Sequence, residues 1–199
     1  MPLGRGDSSR AVRVGSGDDG PGVTDPVLAA IRSRRVVRAM TEEPVGRDTV
    51  EAVLDAGRWA PTAGNRHLQR FVATVDPGTL RVLRMVSPGM IQRPTAAVTI
   101  CVDRASAEAY GFRPDAPGLS VDVGTAAATM LLAAHALGVG AGPVSSFSRA
   151  AVGVVLAVPA GWVPEPIVCL GHPEAVQPPA LNPRRALGWQ DLTTWVPAE

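Results

Sequence analysis

The chain has 199 residues, of which 46% are hydrophobic, with 19 basic and 18 acidic side chains. A composition this apolar excludes a wholly disordered chain, and the length suits one domain with a core of ordinary size. The formal net charge of +1 excludes the broad positive field that would attract nucleic acid or an anionic membrane. Basic residues, if they are functional, must therefore act in local clusters.

Residues 1–23 are rich in Gly, Ser, Asp and Arg and have no apolar period. This predicts a flexible tail ahead of a single domain over residues 24–199. The tail lacks the apolar segment of a signal peptide, so we expect a cytoplasmic protein. Cys101 and Cys169 lie in apolar runs, as buried free thiols do. There is no CxxC spacing or Cys/His cluster, so no metal site is expected.

The first half of the chain shows short alternating elements. A helix is predicted to begin at Thr24-Asp25-Pro26, where a capping residue precedes a proline, and to end near Arg35. A second helix is predicted from Asp48, with Glu51 as its capping-box partner, up to Pro61. A strand over 71–75, a short helix over 80–86 and a buried strand over 96–102 follow, and then an irregular connection over 103–120.

The stretch 121–137, VDVGTAAATMLLAAHAL, organises the chain. Its Ala, Leu and Met content predicts a helix, and an apolar surface all round predicts burial on every side. We expect it at the centre of the core, packed against its own copy in a dimer. It is too short and too rich in alanine for a membrane span. Asp122 is expected to serve only as a charge that the helix dipole favours.

The last third of the chain also alternates between predicted strands and helices. A Gly-rich turn over 138–143 leads to a short strand, Ser148 is predicted to cap a helix running to about residue 157, and 166–170 reads as a buried strand. The chain after Gly171 is rich in proline and is expected to be extended. Helices that alternate with short apolar strands predict an α/β or α+β fold around one sheet.

Five motifs stand in order along these elements. They are Arg34-Arg35-Val36-Val37-Arg38, the loop Ala60-Pro61-Thr62-Ala63-Gly64-Asn65-Arg66-His67, the stretch from Asp122 to Gly140, the segment Pro143-Val144-Ser145-Ser146-Phe147, and Arg184-Arg185-Ala186-Leu187. In this order and spacing the chain resembles the FMN-dependent nitroreductase family. The loop motif, the turn at Ser87 and the stretch from Cys101 to Arg104 also give a weaker resemblance to the catalytic subunit of cyclodipeptide oxidases.

The resemblance implies a central mixed sheet surrounded by helices, in an intertwined homodimer with FMN at the interface. It implies ping-pong transfer of electrons or hydride from a reduced donor, expected to be NAD(P)H, to a small organic acceptor. One alternative is a flavin oxidase that desaturates a cyclic dipeptide or a similar metabolite with a second small subunit. Another is a non-catalytic flavin-binding homologue, since the family residues are replaced at Val36, His67 and Gln69.

The resemblance also implies a set of cofactor contacts. Guanidinium groups suit the FMN phosphate because each presents a planar fork of donors, and Arg34, Arg38 and Arg184 are the expected anchors. Histidine titrates near neutrality, which makes His67 an acid–base candidate, although flavin chemistry needs no protein base. The full set is Arg34, Arg35, Val36, Arg38, Ala63, Asn65, His67, Pro143, Val144, Ser145, Ser146, Arg184 and Arg185.

Overall fold

The structure is a computed structural model that describes residues 25–113, 116–179 and 188–196. The predicted tail over residues 1–23 lies outside the described residues, and so do Arg184 and Arg185.

A four-stranded sheet forms the middle of the fold. Its strands are β1 (Gln69–Thr74), β2 (Ala96–Asp103), β3 (Gly140–Val144) and β4 (Trp162–Gly171), in the spatial order β1-β2-β4-β3. All three neighbouring pairs are antiparallel. The predicted α+β class is confirmed, but within the described residues the sheet is antiparallel rather than mixed. β2 and β3 run in the same direction, yet β4 lies between them and pairs with both.

Helices cover both faces of the sheet. They are α1 (Pro26–Ser33), α2 (Arg47–Arg58), α3 (Pro77–Met85), α4 (Arg104–Ala109), α5 (Pro117–Ala136) and α6 (Arg149–Val155). One hydrophobic cluster joins the sheet to α2 and α5 and includes Val53, Ile100 and Met130. The other joins it to α3 and α6 and includes Leu83 and Ile167. Because both faces are buried, β2 is a continuous apolar run rather than an alternating one.

The two thiols lie inside this sheet, as predicted. Cys101 on β2 and Cys169 on β4 are buried and unbridged. Burial raises the pKa of Cys101 to about 11, with a smaller contribution from the charge of Glu165, and raises the pKa of Cys169 to about 12. Both thiols therefore stay protonated at neutral pH and act as small apolar side chains.

Two predictions about where and how helices begin are wrong. The connection over 103–120 is not irregular, because it contains α4 and the first turn of α5. Asp103 caps α4 by accepting a hydrogen bond from the N–H of Ser106 (3.0 Å), and Pro117 opens α5. The capping box at Asp48 is also absent, since α2 begins at Arg47 after Gly46 and no side chain caps it.

Helix α5 crosses one face of the sheet and is buried on one side only. Val123, Ala126 and Met130 pack into the core, whereas Val121 is 62% exposed and Ala128 is also exposed. The expectation of burial on every side is therefore wrong for a single chain. By length and composition alone α5 could cross a membrane, a test that core helices of soluble proteins also pass.

Candidate functional site

A cleft of about 190 Å³ lies where the turn after α1 meets the end of α5 and the start of β3. The turn is fixed to the sheet because the N–H of Val37 donates to the carbonyl of Ala141 (3.0 Å). The charged or titratable side chains that line the cleft are Arg34, Arg35 and His135. The first and third motifs of the sequence thus meet at one place.

Arg34 has the most unusual environment in this cleft. It is half-buried, and its Nη1 is enclosed without a hydrogen-bond acceptor anywhere in the described part of the chain. A buried donor without an acceptor costs about 1–3 kcal/mol, and more when the group is charged. An anion in the cleft would supply the missing acceptor. The phosphate of FMN, the predicted cofactor, is such an anion.

The other side chains of the cleft are already engaged. Nη1 of Arg35 donates to the carbonyls of Arg32 (2.6 Å) and Arg34 (2.9 Å), within the turn itself. Nε2 of His135 lies 2.8 Å from Oγ of Ser33, which links the end of α5 to the end of α1. The position of His135 on the cleft was not predicted from the sequence.

Arg38 lies at the far end of the same turn, outside the lining of the cleft. Its N–H and that of Ala39 donate to Oε1 of Gln177 (3.0 and 3.1 Å), and Nε2 of Gln177 donates to the carbonyl of Ala39 (2.8 Å). Sequence reasoning missed Gln177, because nothing in the proline-rich arm marks it. The structure therefore does not bring Arg34 and Arg38 together around this cleft.

Glycines let the turn lie close against β3. A Cβ on Gly140 would stand 2.9 Å from Cβ of Val37, and one on Gly142 would stand 3.0 Å from the carbonyl oxygen of Val37 and 3.3 Å from Cγ1 of Val36. Val36, the predicted backbone contact, therefore sits directly over β3. The Gly-rich turn of the sequence is needed for this close approach.

The second motif forms a separate polar group between α2 and β1. Gly64, Asn65 and His67 have φ values of 59°, 55° and 49°, a left-handed conformation that is strained for His67 in particular. Nε2 of His67 lies 2.8 Å from Oδ1 of Asn65, and both side chains are exposed. Strain of this kind clusters at functional sites, where the surrounding structure maintains it.

Helix α5 holds the start of this loop. Asp122 is buried and accepts a hydrogen bond from the N–H of Ala63 (2.9 Å), while Oγ1 of Thr125 donates to the carbonyl of Pro61 (3.1 Å). The proposed role of Asp122 as a charge at the helix terminus is wrong, because α5 begins five residues earlier at Pro117. Asp122 instead positions the loop that carries Asn65.

Arg70 on β1 holds the other end of the loop that carries Asn65. Its Nη1 donates to the carbonyl of His67 (2.7 Å), and its Nη2 pairs with Oδ2 of Asp103 (3.0 Å). The backbone N–H of Ser106, then the Ser106 hydroxyl and the charge of Arg70, lower the pKa of the Asp103 carboxyl. Neither Arg70 nor Asp103 was predicted as part of the site.

The fourth motif completes β3. Val144 is buried, whereas Pro143, Ser145 and Ser146 are exposed beyond the cleft. The carbonyl of Ser146 accepts a hydrogen bond from the N–H of Gly89 (2.9 Å). This bond fixes the segment to the turn after α3.

The two polar groups lie at opposite ends of α5. Asp122, which holds the Asn65 loop, and His135, which lines the Arg34 cleft, are separated by roughly 20 Å at 1.5 Å per residue of helix. One chain therefore does not place the Asn65–His67 pair beside the Arg34 cleft. Across residues 25–113, 116–179 and 188–196, no group of three His, Cys, Asp or Glu side chains could hold a metal ion.

Known proteins have sequences similar to that of this chain. A protein of Rhodospirillum rubrum named 5,6-dimethylbenzimidazole synthase is 30% identical over 200 residues, covering 85% of this chain and 92% of that protein. A protein of Rhodopseudomonas palustris that carries the provisional name NADH dehydrogenase/NAD(P)H nitroreductase is 29% identical over 171 residues, covering 76% and 87%.

The fold is shared with solved structures as well. A provisionally named nitroreductase from Desulfovibrio desulfuricans, crystallised in complex with FMN, matches with a TM-score of 0.72 at 29% identity, covering 88% of this chain and 100% of that chain. The sequence matches the Nitroreductase family over residues 31–93 and 92–172, which take in the Arg34 turn, the Asn65 loop and the whole sheet. The chain belongs to the Nitroreductase family.

Proposed function

We propose that this protein is an FMN-dependent oxidoreductase that passes electrons or hydride from NADH or NADPH to a small organic acceptor. The observation that carries the proposal is Nη1 of Arg34, which is enclosed without an acceptor among the described residues, on a side chain that lines a cleft beside β3. It is supported by the FMN bound in the relative from Desulfovibrio desulfuricans and by the family match. FMN, when bound, supplies the redox chemistry by accepting and releasing electrons.

The chain's own residues then have distinct tasks. Arg34 binds the phosphate, and Arg184 and Arg185, outside the described residues, are proposed to assist it from the terminal arm. Val36 and the segment Pro143–Ser146 line the path of the cofactor along β3, and exposed N–H groups there stabilise charge that develops on the flavin. Asn65 offers both a donor and an acceptor to the flavin, and Ala63 fixes the loop that carries it.

We further propose that the protein works as a homodimer. α1 has no buried residue and exposes Val27, Leu28 and Ile31, and the described part of the arm exposes Trp189 and Trp195. Together with the open face of α5, these exposed apolar side chains suit a surface that a partner covers. A second copy that covers them also brings its Asn65 loop to the Arg34 cleft, which one chain does not do. We expect this dimer in the cytoplasm.

A second candidate is favoured by one relative. The protein from Rhodospirillum rubrum is named as a synthase of 5,6-dimethylbenzimidazole, not as an NAD(P)H-dependent reductase. The same cofactor site in this chain would then serve a biosynthetic conversion of a small molecule. The first candidate predicts that NADH or NADPH reduces the bound flavin with no other substrate present. The second candidate does not require this.

Anaerobic titration distinguishes the two candidate functions. The purified protein is titrated with NADH and, separately, with NADPH while the absorbance of the oxidised flavin is followed, with free FMN in the same buffer as the control. The proposal predicts rapid bleaching by one of the two donors and recovery when an electron acceptor is added. A protein that retains FMN but is bleached by neither contradicts NAD(P)H as the donor. A protein that takes up no FMN contradicts the proposal that the enzyme depends on FMN.

A further inference from the structure

A second pocket of about 380 Å³ lies beside the outer strand β1, away from the Arg34 cleft. Helix α3 forms one side of it, Val75 at the end of β1 forms another, and two loops over residues 42–45 and 93–95 close the rest. It shares no lining residue with the Arg34 cleft. None of the five sequence motifs contributes to it, and the proposed function does not use it.

The walls of this pocket are fixed to the core. Oγ1 of Thr95 donates to the carbonyl of Glu43 (3.1 Å) and accepts from the N–H of Val45 (3.1 Å), so one hydroxyl joins the two loops. The N–H of Thr95 donates to the carbonyl of Leu170 on β4 (3.0 Å). On the opposite side, Asp76 caps α3 by accepting from the N–H of Thr79 (2.6 Å). The pocket is therefore preformed.

Three guanidinium groups line the pocket. Arg81 and Arg84 are one helical turn apart on α3, and Arg93 faces them from the loop before β2. Within the described residues none of the three has a hydrogen-bond or ion-pair partner, and Glu42 is the one acidic residue among those that line the pocket. A chain with a net charge of only +1 thus concentrates unpaired positive charge at one concave place.

The rest of the lining is apolar. Leu80 and Pro94 are buried at its base, and Pro44, Val75 and Pro77 border it. An apolar cavity of this size with a few convergent polar groups is the usual form of a small-molecule site. Guanidinium groups recognise carboxylate, sulfonate and phosphate oxygens through paired donors.

We propose that this pocket binds a small organic anion, with an apolar body seated on Leu80 and Pro94 and an acidic group held by Arg81, Arg84 and Arg93. The ligand class is a carboxylate, sulfonate or phosphate carried on a ring or a short chain. Both parts are required for binding, because inorganic anions have nothing to bury and neutral rings leave the three guanidinium groups without an acceptor.

Calorimetric titration of the FMN-loaded protein tests this with three probes: 2-naphthoate, 2-naphthol and inorganic phosphate. 2-Naphthoate is expected to bind, and at equal concentration the neutral ring and the bare anion are expected to bind much more weakly. In the double variant Arg81→Gln/Arg84→Gln, the Kd of 2-naphthoate should rise by about tenfold or more, since two charge-assisted contacts are removed. The matched control is Arg58→Gln on α2, which removes an exposed arginine elsewhere and should leave the Kd unchanged.

Two results would overturn the proposal. Equal affinity for 2-naphthoate in the wild type and the double variant, or equal affinity for 2-naphthoate and 2-naphthol, would show that the arginines recognise no anion. Flavin absorbance is recorded in the same samples, because a probe that binds at the flavin perturbs it and is indifferent to Arg81 and Arg84. Failure of this pocket leaves flavin reduction by NAD(P)H unaffected, so the two proposals are distinguished.

Discussion

At the scale of single residues, Arg34 is the proposed anchor of the FMN phosphate. Replacing it by alanine removes the buried donor for which the described chain offers no acceptor. Arg34→Ala should therefore weaken FMN binding by roughly 1.5–3 kcal/mol, or about ten- to a hundredfold in Kd. Equilibrium dialysis of apoprotein with FMN measures this directly.

Arg35→Ala is the matched control, since it removes the same charge one position along the turn. Nη1 of Arg35 already donates to two backbone carbonyls, so its loss should weaken FMN binding much less. Equal Kd values for wild type and Arg34→Ala would show that Arg34 does not bind the cofactor. Equal losses in both variants would show that only net charge matters.

Asp122 is proposed as a positioning residue, because its hydrogen bond is to the loop that carries Asn65. Asp122→Ala leaves the N–H of Ala63 without its acceptor, whereas Asp122→Asn keeps an oxygen at the same place. We expect Asp122→Ala to lower kcat with little change in the Kd of FMN, because the phosphate is held at the other end of α5. Asp122→Asn should restore most of the rate. A loss of FMN binding equal to that of Arg34→Ala would contradict the assigned role.

At the scale of elements, the docking of the α1 turn on β3 depends on glycine. Gly140→Ala would place a Cβ 2.9 Å from Cβ of Val37, a stiff β-branched side chain, so the turn must move. We expect a loss of about 1–3 kcal/mol in the free energy of unfolding, with a matching loss of FMN affinity. Urea denaturation and dialysis measure the two effects.

Gly153→Ala on α6 is the control for that substitution. A Cβ there would meet nothing within 4 Å, so this change should stabilise the protein by about 0.5–1 kcal/mol and leave FMN binding unchanged. If Gly140→Ala binds FMN as tightly as the wild type does, FMN binding does not depend on the close packing of the turn against β3.

Asp103, which ends β2, caps α4 and pairs with Arg70 on β1, predicts a dependence on pH. The pKa of Asp103 is lowered in the folded chain, first by the N–H of Ser106 and also by Arg70. Its stabilising effect is therefore complete above the ordinary pKa of an unfolded aspartate and is lost as the pH falls through the lower folded value. The difference in free energy of unfolding between wild type and Asp103→Asn should shrink as the pH falls below about 4. If this difference in free energy of unfolding stays constant as the pH is lowered, the carboxylate of Asp103 does not make the stabilising contacts assigned to it.

Local signals in the sequence predicted local structure well. Asp25 caps α1 and Ser148 caps α6 as expected, because a capping residue needs only its own neighbours. The contact of Asp122 with Ala63 joins residues 59 positions apart, and that of Gln177 with Arg38 joins residues 139 apart. Nothing local marks such pairs. For the same reason the basic turn was predicted, while the position of Arg38 outside the Arg34 cleft was not.

At the scale of the whole molecule, the proposed homodimer would complete the arrangement of the site. The Arg34 cleft and the Asn65 loop lie at opposite ends of α5, and both the open face of that helix and α1 expose apolar side chains. A two-fold axis that covers these surfaces would bring each loop to the partner's cleft and create two equal sites. Each site would then need Arg34 from one chain and Asn65 from the other.

Mixed dimers test this central claim most directly. Arg34→Ala and Asn65→Gly chains, each impaired alone, are joined in one dimer through different affinity tags. Glycine is chosen because it keeps the positive φ of Asn65 without its side chain. If the sites are shared, one site in each mixed dimer is intact, and flavin reduction by NAD(P)H should return to about half of the wild-type rate per dimer. A mixed dimer no more active than its two parents would contradict the shared site.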